Sequence, residues 1–330
     1  MARFSGPSFT VFLVDQFNLI ASTMDSASME REAITQQTNP FGVGSEQHSP
    51  TGLEKGALSV GEGVYDPATD ALHGTLGGTR GLSRLISAAI EGNIIGNHFM
   101  GFAGALDTKY KVMDKRDGLT MANADYLVSG LVEDGVIVQS LATFTASWDT
   151  KTGGAGAADA PVDYTLDPVQ RRFEIASASK AANCVITTTK NHGLTSGQII
   201  FVAGNTLAGP AINGSITVTV TGLTTFTTGV NTSGSTGVGT DGTFVLASTV
   251  NGGSAYMHCT ALSVTSLANK IMHSPDDSTY AALATFTTLV AVGKQRVEVA
   301  AGTTVDRFLS NQGTVVGVGN VGVFAGFCRN

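Results

Sequence analysis

Several residue groups in this chain have the types and spacing of familiar chemistry, and each needs a context to act. Gly317-Val318-Gly319-Asn320-Val321-Gly322 fits the GxGxxG pattern of dinucleotide-binding turns. That chemistry needs a helix after the glycines, whose N–H groups meet the pyrophosphate, and an acid about 20 residues on. Here β-patterned sequence follows, so the glycines are expected to serve turns or bulges. Ser177-Ala178-Ser179-Lys180 fits SxxK and Lys151-Thr152-Gly153 fits KTG. Their order is reversed relative to the penicillin-binding enzymes, which leaves no acylation centre. The histidines are His48, His73, His98, His192, His258 and His273, and none forms an i, i+4 pair with a carboxylate set. His258 and Cys259 are neighbours in an expected strand, so they point to opposite faces and cannot chelate one metal. His192, in an HGL turn, reads as a turn or packing residue. Glu133-Asp134 could do acid–base work only if both carboxylates shared a face, which strand geometry forbids. The cysteines Cys184, Cys259 and Cys328 are odd in number with no CxxC, as expected of reduced structural thiols. No catalytic, cofactor or metal site is predicted, and the chain is not expected to be an enzyme.

The remaining charge has a pattern of its own. Residues 1–150 hold 17 acidic and 9 basic side chains, whereas residues 151–330 hold 9 and 10. The acidity belongs to the first half, and such a surface repels nucleic-acid phosphates. It also serves solubility. Basic residues interleaved with aromatics, as nucleic-acid binding requires, are absent.

The elements that would position these charges begin with residues 102–141. Leu106, Thr108, Tyr110 and Val112 alternate with Asp107, Lys109, Lys111 and Met113. After the turn at 114–118, Ala122, Ala124, Tyr126, Val128 and Val132 take one face, and Asn123, Asp125, Ser129 and Glu133 the other. This predicts two long antiparallel strands joined by a charged turn. Phe9–Val14 reads as a core strand and Leu53–Tyr65 as another. Ser22–Thr51 has little apolar patterning and holds Asp25, Glu30, Arg31, Glu32 and Glu46. It is read as an arm or extended hairpin reaching a neighbouring subunit, or else a surface loop. Leu82, Leu85, Ile86, Ala89 and Ile90 fall at helical spacing, with Thr79 to cap and Gly92 to end, predicting a helix over 80–91.

With 41 glycines, 14% charged residues and many threonines, the rest is expected to be β. Residues 151–160 (KTGGAGAADA) read as a flexible linker. Residues 171–247 are rich in Thr, Gly, Ser and Val and read as a small β-sandwich. Residues 161–170 with 248–330 read as a second sandwich of jelly-roll character, with Val315–Phe327 as one long strand. The fold class is mainly β with one packed helix, in three regions: 1–150, 161–170 plus 248–330, and the inserted 171–247. No apolar run reaches the roughly 20 residues needed to span a bilayer, and the first residues form no signal peptide, as expected of a chain folded in cytoplasm.

FLVDQFNLIAS, HSPTGLEKGALSVGEGVYD, EGNIIGNHFMGFAGALDTKYKV, LTMANADYLVSGLVEDGVIVQSL and VGVFAGFCRN, in that order, resemble the major tail tube proteins of long-tailed bacteriophages. Asn191-His192-Gly193-Leu194, Gly197, Ile212-Asn213-Gly214 and Thr224–Thr227 resemble a β module found in virion proteins. The resemblance implies a virion tail protein assembled in host cytoplasm. Its copies form rings, expected to be hexamers, with three duplicated chains as the other count. Stacked rings make a tube through which genomic DNA passes without specific binding. Tape-measure and tail-terminator or distal tail proteins are the implied partners, and the inserted module is implied to face outward. Asp107, Asp114, Asp117, Asp125, Glu133 and Asp134 are then candidates for a negative lumen lining. The residues of the 22–51 arm are candidates for inter-subunit contact. A second reading is a carbohydrate- or host-surface-binding virion decoration protein, for which the lone Trp148 gives little aromatic support.

Overall fold

The computed structural model describes residues 11–18, 26–37, 48–64, 82–89, 91–114, 120–128, 132–151, 161–166, 172–207, 212–237 and 239–330. The first strands are β1 (Val11–Val14), β2 (Phe17–Asn18), β3 (Ser26–Gln37), β4 (His48–Val64), β5 (Ser83–Ala89), β6 (His98–Asp114), β7 (Thr120–Val128) and β8 (Val132–Phe144). Two short strands follow, β9 (Trp148–Asp149) and β10 (Val162–Asp163). The middle of the chain gives β11 (Phe173–Ala178), β12 (Val185–Thr188), β13 (Ile199–Ala203), β14 (Gly214–Thr217), β15 (Thr219–Val220), β16 (Thr225–Thr227) and β17 (Thr243–Leu246). The last six are β18 (Gly253–Leu262), β19 (Ser266–Ser274), β20 (Ala281–Thr285), β21 (Gly293–Val299), β22 (Phe308–Val316) and β23 (Val321–Arg329). Among the described residues no helix is long and apolar enough to cross a membrane.

The mainly β class holds; the helix over 80–91 does not. Ser83–Ala89 is strand β5, paired with β1 on one edge and β6 on the other. Every residue from Arg84 to Ala89 is buried. Leu85 and Ala89 pack with Val11, Leu13 and Phe99, whereas Ile86 and Ala88 pack with Phe12 and Phe102 in a different cluster. A strand covered on both faces is apolar almost throughout, and a helical spacing can be drawn through such a run. Val315–Phe327 is likewise two strands. Gly317 (φ 99°) and Gly319 (φ 155°) break it with a turn that side-chain-bearing residues resist.

An eleven-stranded sheet runs β2-β1-β5-β6-β8-β23-β18-β21, with β7, β4 and β3 branching from β6. It curls into a nearly closed barrel. Tyr256, Phe324, Phe99, Ile137 and Leu13 fill the inside. On the outer side Val136, Met257, Val323 and Phe327 face a five-stranded sheet of β9, β10, β22, β19 and β20, from which Trp148, Ile271 and Leu309 project. Both sheets therefore cross the boundary expected near residue 150. β8 pairs with β23 from Phe144↔Val321 to Val136↔Phe327, and β9 pairs with β22. Residues 173–246 form their own seven-stranded sheet around Ile186, Ile200, Val202, Phe226 and Phe244. Phe173 and Phe244 are paired, which brings the first and last strands of this sheet together.

Candidate assembly interface

The long hairpin read from the sequence is present. β6 and β7 pair from Ala105↔Val128 to Asp114↔Thr120, and β6 pairs with β8 from His98↔Val136 to Phe102↔Val132. The two registers continue each other, so β7 and β8 act as one long partner to β6. β4 adds to β7 and β3 to β4, making a four-stranded ribbon β3-β4-β7-β6. β3 and β4 show that the 22–51 segment is partly an extended hairpin. Glu30, Arg31 and Glu32 lie in β3, whereas Asp25 and Glu46 are outside the described residues.

The outer edge of this ribbon is open among the described residues. β3 pairs only with β4. On its other side β6 pairs with β5 from Phe99↔Ala89 to Leu106↔Ser83. An open edge is a row of backbone donors and acceptors that can pair with another chain.

The strict alternation expected along β6 breaks at Thr108. Asp107 lies opposite Tyr126 and the next pair is Lys109↔Asp125, so an extra residue bulges out. Asp107 is therefore buried beside Tyr126, while Lys109 meets Asp125 at 3.5 Å on the other face. Burial pushes the Tyr126 hydroxyl far up, and the charges of Asp107 and Asp15 add to this while Arg84 opposes it. Ser59 Oγ donates to Asp125 Oδ1 at 2.6 Å, tying β4 to β7 on the same face.

Of the six candidate lining acids, two are internal. Asp107 is one. Glu133, the other, lies in the barrel, where Arg296 donates to both its oxygens at 3.0 Å and Ser254 Oγ donates at 2.7 Å. Tyr256 OH donates to it as well. Burial pushes the Glu133 carboxyl up, but the bonds from Arg296, Tyr256 and Ser254 outweigh this and hold it below the ordinary range. Both are buried for different reasons: the bulge turns Asp107 toward Tyr126, and the strand side of Glu133 that the period placed in water is the barrel interior. Asp134 is exposed and pairs with His98 at 3.3 Å. Asp125 is half-buried, Asp114 is the last residue of β6, and Asp117 lies outside the described residues.

A second charged cluster closes the barrel seam and was not foreseen. Asp15 sits in the β1–β2 turn at φ 57°. Its carboxylate accepts Arg84 Nη1 at 2.7 Å, the Leu85 N–H at 3.0 Å, and Lys294 Nζ from β21. His258 Nδ1 donates to the Asp15 carbonyl, so Nε2 accepts the Ser87 hydroxyl at 2.8 Å. No local spacing could announce these partners, which lie in the β1–β2 turn and on β5, β18 and β21.

The chemistry motifs resolve into structure. Ser179 Oγ accepts the Val185 N–H at 2.8 Å, and Lys151 donates to the Ser278 carbonyl beside the Tyr280 ring. His258 and Cys259 enter different clusters, as expected of strand neighbours. His192 Nδ1 accepts the Leu194 N–H at 2.9 Å and its ring meets Phe226 edge-on, a packing role. The three cysteines are free and buried. No group of three metal-ligating side chains occurs among the described residues. An open groove of about 550 Å³ on the module, lined by Glu174, Ala176, Thr189, Gly204 and Asp241, has no aromatic platform.

No protein-family model and no curated protein matches the sequence. Similar solved structures include a chain from the virion of a native gene transfer agent particle, at TM-score 0.30 and 11% identity over 39% of this chain and 97% of that one. Another is from the tail of an empty gene transfer agent particle with six-fold helical symmetry, at TM-score 0.29 and 11% identity over the same shares. A third is the SPP1 Dit protein, described as a paradigm of hub adsorption apparatus in phages infecting Gram-positive bacteria. It has TM-score 0.29 and 8% identity over 96% of this chain and 97% of that one. All three are tail or virion proteins, and a likeness at this level carries no argument.

Proposed function

We propose that this chain is a structural protein of a phage tail that polymerises as stacked rings into the tail tube. One observation carries the reading: a ribbon of four strands, two of them 17 residues long, whose outer strand β3 pairs with no strand but β4 among the described residues. At about 3.3 Å per residue each long strand spans roughly 55 Å. The open edge of β3 in one copy pairs with a strand of the next. Repeated around an axis, that contact closes a barrel and removes this open edge. Six copies make the ring. Asp125 and Asp134, with Asp114, Asp117 and the acids of the 22–51 segment, are the side chains left to give the bore its negative sign. Repulsion of duplex DNA then acts within about 8 Å at physiological salt. The module at 171–247 faces outward, and tape-measure and terminator or distal tail proteins bind the ends.

Electron microscopy of the purified chain, concentrated under near-physiological salt, tests the reading. Hollow rings or tubes with six-fold averages are expected. A chain that stays monomeric at all concentrations, or a bore lined by lysine and arginine, would remove it.

A further inference from the structure

The path of the eleven-stranded sheet has two ends, β2 beyond β1 and β21 beyond β18. Among the described residues no backbone pairing joins them, so side chains close the barrel there. Lys294 of β21 reaches the Asp15 carboxylate and, at 3.4 Å, the Ser83 carbonyl. His258 of β18 crosses the interior to the Asp15 carbonyl and the Ser87 hydroxyl. A ladder spreads its hold over many bonds, whereas the polar hold of this seam rests on two side chains.

Of these two, histidine is the type that changes charge near neutral pH. His258 is fully buried. Facing it are Asp15 from the β1–β2 turn, with Arg84 of β5 bonded to that carboxylate, and Ser87 of β5. Its register partners are Lys294 on β21 and the uncharged Phe324 on β23. The next charged pair in the interior, Glu133 and Arg296, is bonded to itself. A protonated ring would put a third cation beside Lys294 and Arg84, with the one Asp15 carboxylate among them. Its Nε2 would then donate, and the Ser87 hydroxyl would lose the acceptor that it now has. A charge so placed needs water, and the seam, which no ladder closes, is where water can enter.

We propose that His258 is an acid-sensitive latch: on gaining a proton it releases the Asp15 turn, and the seam opens while the rest of the sheet stays paired. This concerns the interior of one copy and stands apart from the tube reading. The buried cysteines read it out, one in each core. Cys328 lies in the barrel interior with Leu13, Tyr256 and Phe324, Cys259 in the layer between the sheets, and Cys184 in the module. The full chain is labelled with a pyridyl disulfide, and mass spectrometry gives the rate at each cysteine relative to the unfolded chain at the same pH. Burial lowers His258 to about 4 from its ordinary 6.5. Opening should therefore gain about 30-fold between about pH 7.5 and about pH 5. Cys328 labelling is expected to rise by that factor, with Cys259 and Cys184 unmoved. His258→Asn should abolish the rise. Lys294→Gln, at a side chain 33% exposed, should already speed Cys328 labelling at pH 7.5. Either other cysteine rising with Cys328 would mean unfolding of a whole core and would overturn the latch. So would a flat Cys328 rate, a rise that survives His258→Asn, or a Lys294→Gln chain that labels at the wild-type rate.

Discussion

The inserted module and the main body close their cores over different distances along the chain. In the module, neighbours are near: Ile175 pairs with Thr188, Ile199 with Thr217, Val220 with Phe226. In the main body, β23 inserts between β8 and β18, so Phe144 waits for Val321. Asp15 waits for Lys294, and Glu133 for Arg296. Loop-closure entropy must be met before such contacts stabilise anything. The module can therefore close alone, whereas the main body stays open until its last strand arrives.

The harshest way to break this contrast is Gly135→Val. A Cβ at Gly135 would lie 2.4 Å from the Phe327 carbonyl and 2.6 Å from Cys328 Sγ. Backbone cannot yield that much, so β23 should fail to dock and the main body should not fold. Limited proteolysis with mass spectrometry is expected to leave a resistant fragment spanning about residues 172–247. Loss of that fragment along with the rest would show that the module does not stand alone.

Next in size is Arg296→Ala. It leaves Glu133 buried and without its bidentate partner, a change that costs about 3–5 kcal/mol. Urea unfolding followed at Trp148 for the main body and by far-ultraviolet circular dichroism for the module should show the main transition moved to lower denaturant and the module's transition unmoved. Equal shifts in both would mean that the two regions unfold as one.

The same contrast decides what could be read from sequence. Strands made by local hairpins are legible: the two that meet at Asp114↔Thr120 in the ribbon, and the β character of residues 171–247. Period-two patterning and turn glycines report on neighbours a few residues away. β5 was not legible, because burial on both faces erases the period. Asp107 was misplaced because a bulge at Thr108 shifts the face by one residue and leaves no mark in composition. Glu133 reads as wetted because a period of two cannot tell a solvent face from a barrel interior. Asp15, Arg84, His258 and Lys294 went unnoticed because their partners are set by topology, which no spacing encodes.

A third test titrates the seam. Burial lowers His258 to about 4 from its ordinary 6.5, a loss that its bond to the Asp15 carbonyl and the Asp15 charge only partly offset. Between those values the unfolded chain binds a proton that the folded chain refuses. Stability is therefore complete above about pH 6.5 and falls as the pH drops toward 4, by about 3 kcal/mol in all. Thermal unfolding of the main body should show this slope, and His258→Asn, which keeps a donor near the Asp15 carbonyl, should flatten it. The module lacks His258, so an equal slope there would take the effect away from the seam.

The smallest effect belongs to the joint between the two regions. Arg307 donates to both Asp163 oxygens, at 2.9 and 2.6 Å, and its guanidinium lies over Phe201 of the module at 4.1 Å and over Phe308 at 4.7 Å. One side chain thus holds a turn of the main body and an aromatic ring of the insertion. Arg307→Ala removes the fork and the stack together, at about 1.5–3 kcal/mol for hydrogen bonds to a charged group. Neither core loses an apolar side chain, so the module's own transition should not move. What should change is the freedom of the module: cleavage in its two connecting segments should speed up several-fold while the folded fragments survive. Arg307→Lys keeps the charge but not the planar fork over Phe201, and should fall between the two. If Arg307→Ala instead lowered the stability of both regions equally, the joint would be part of a shared core, and the separation drawn between near and distant closure would not hold.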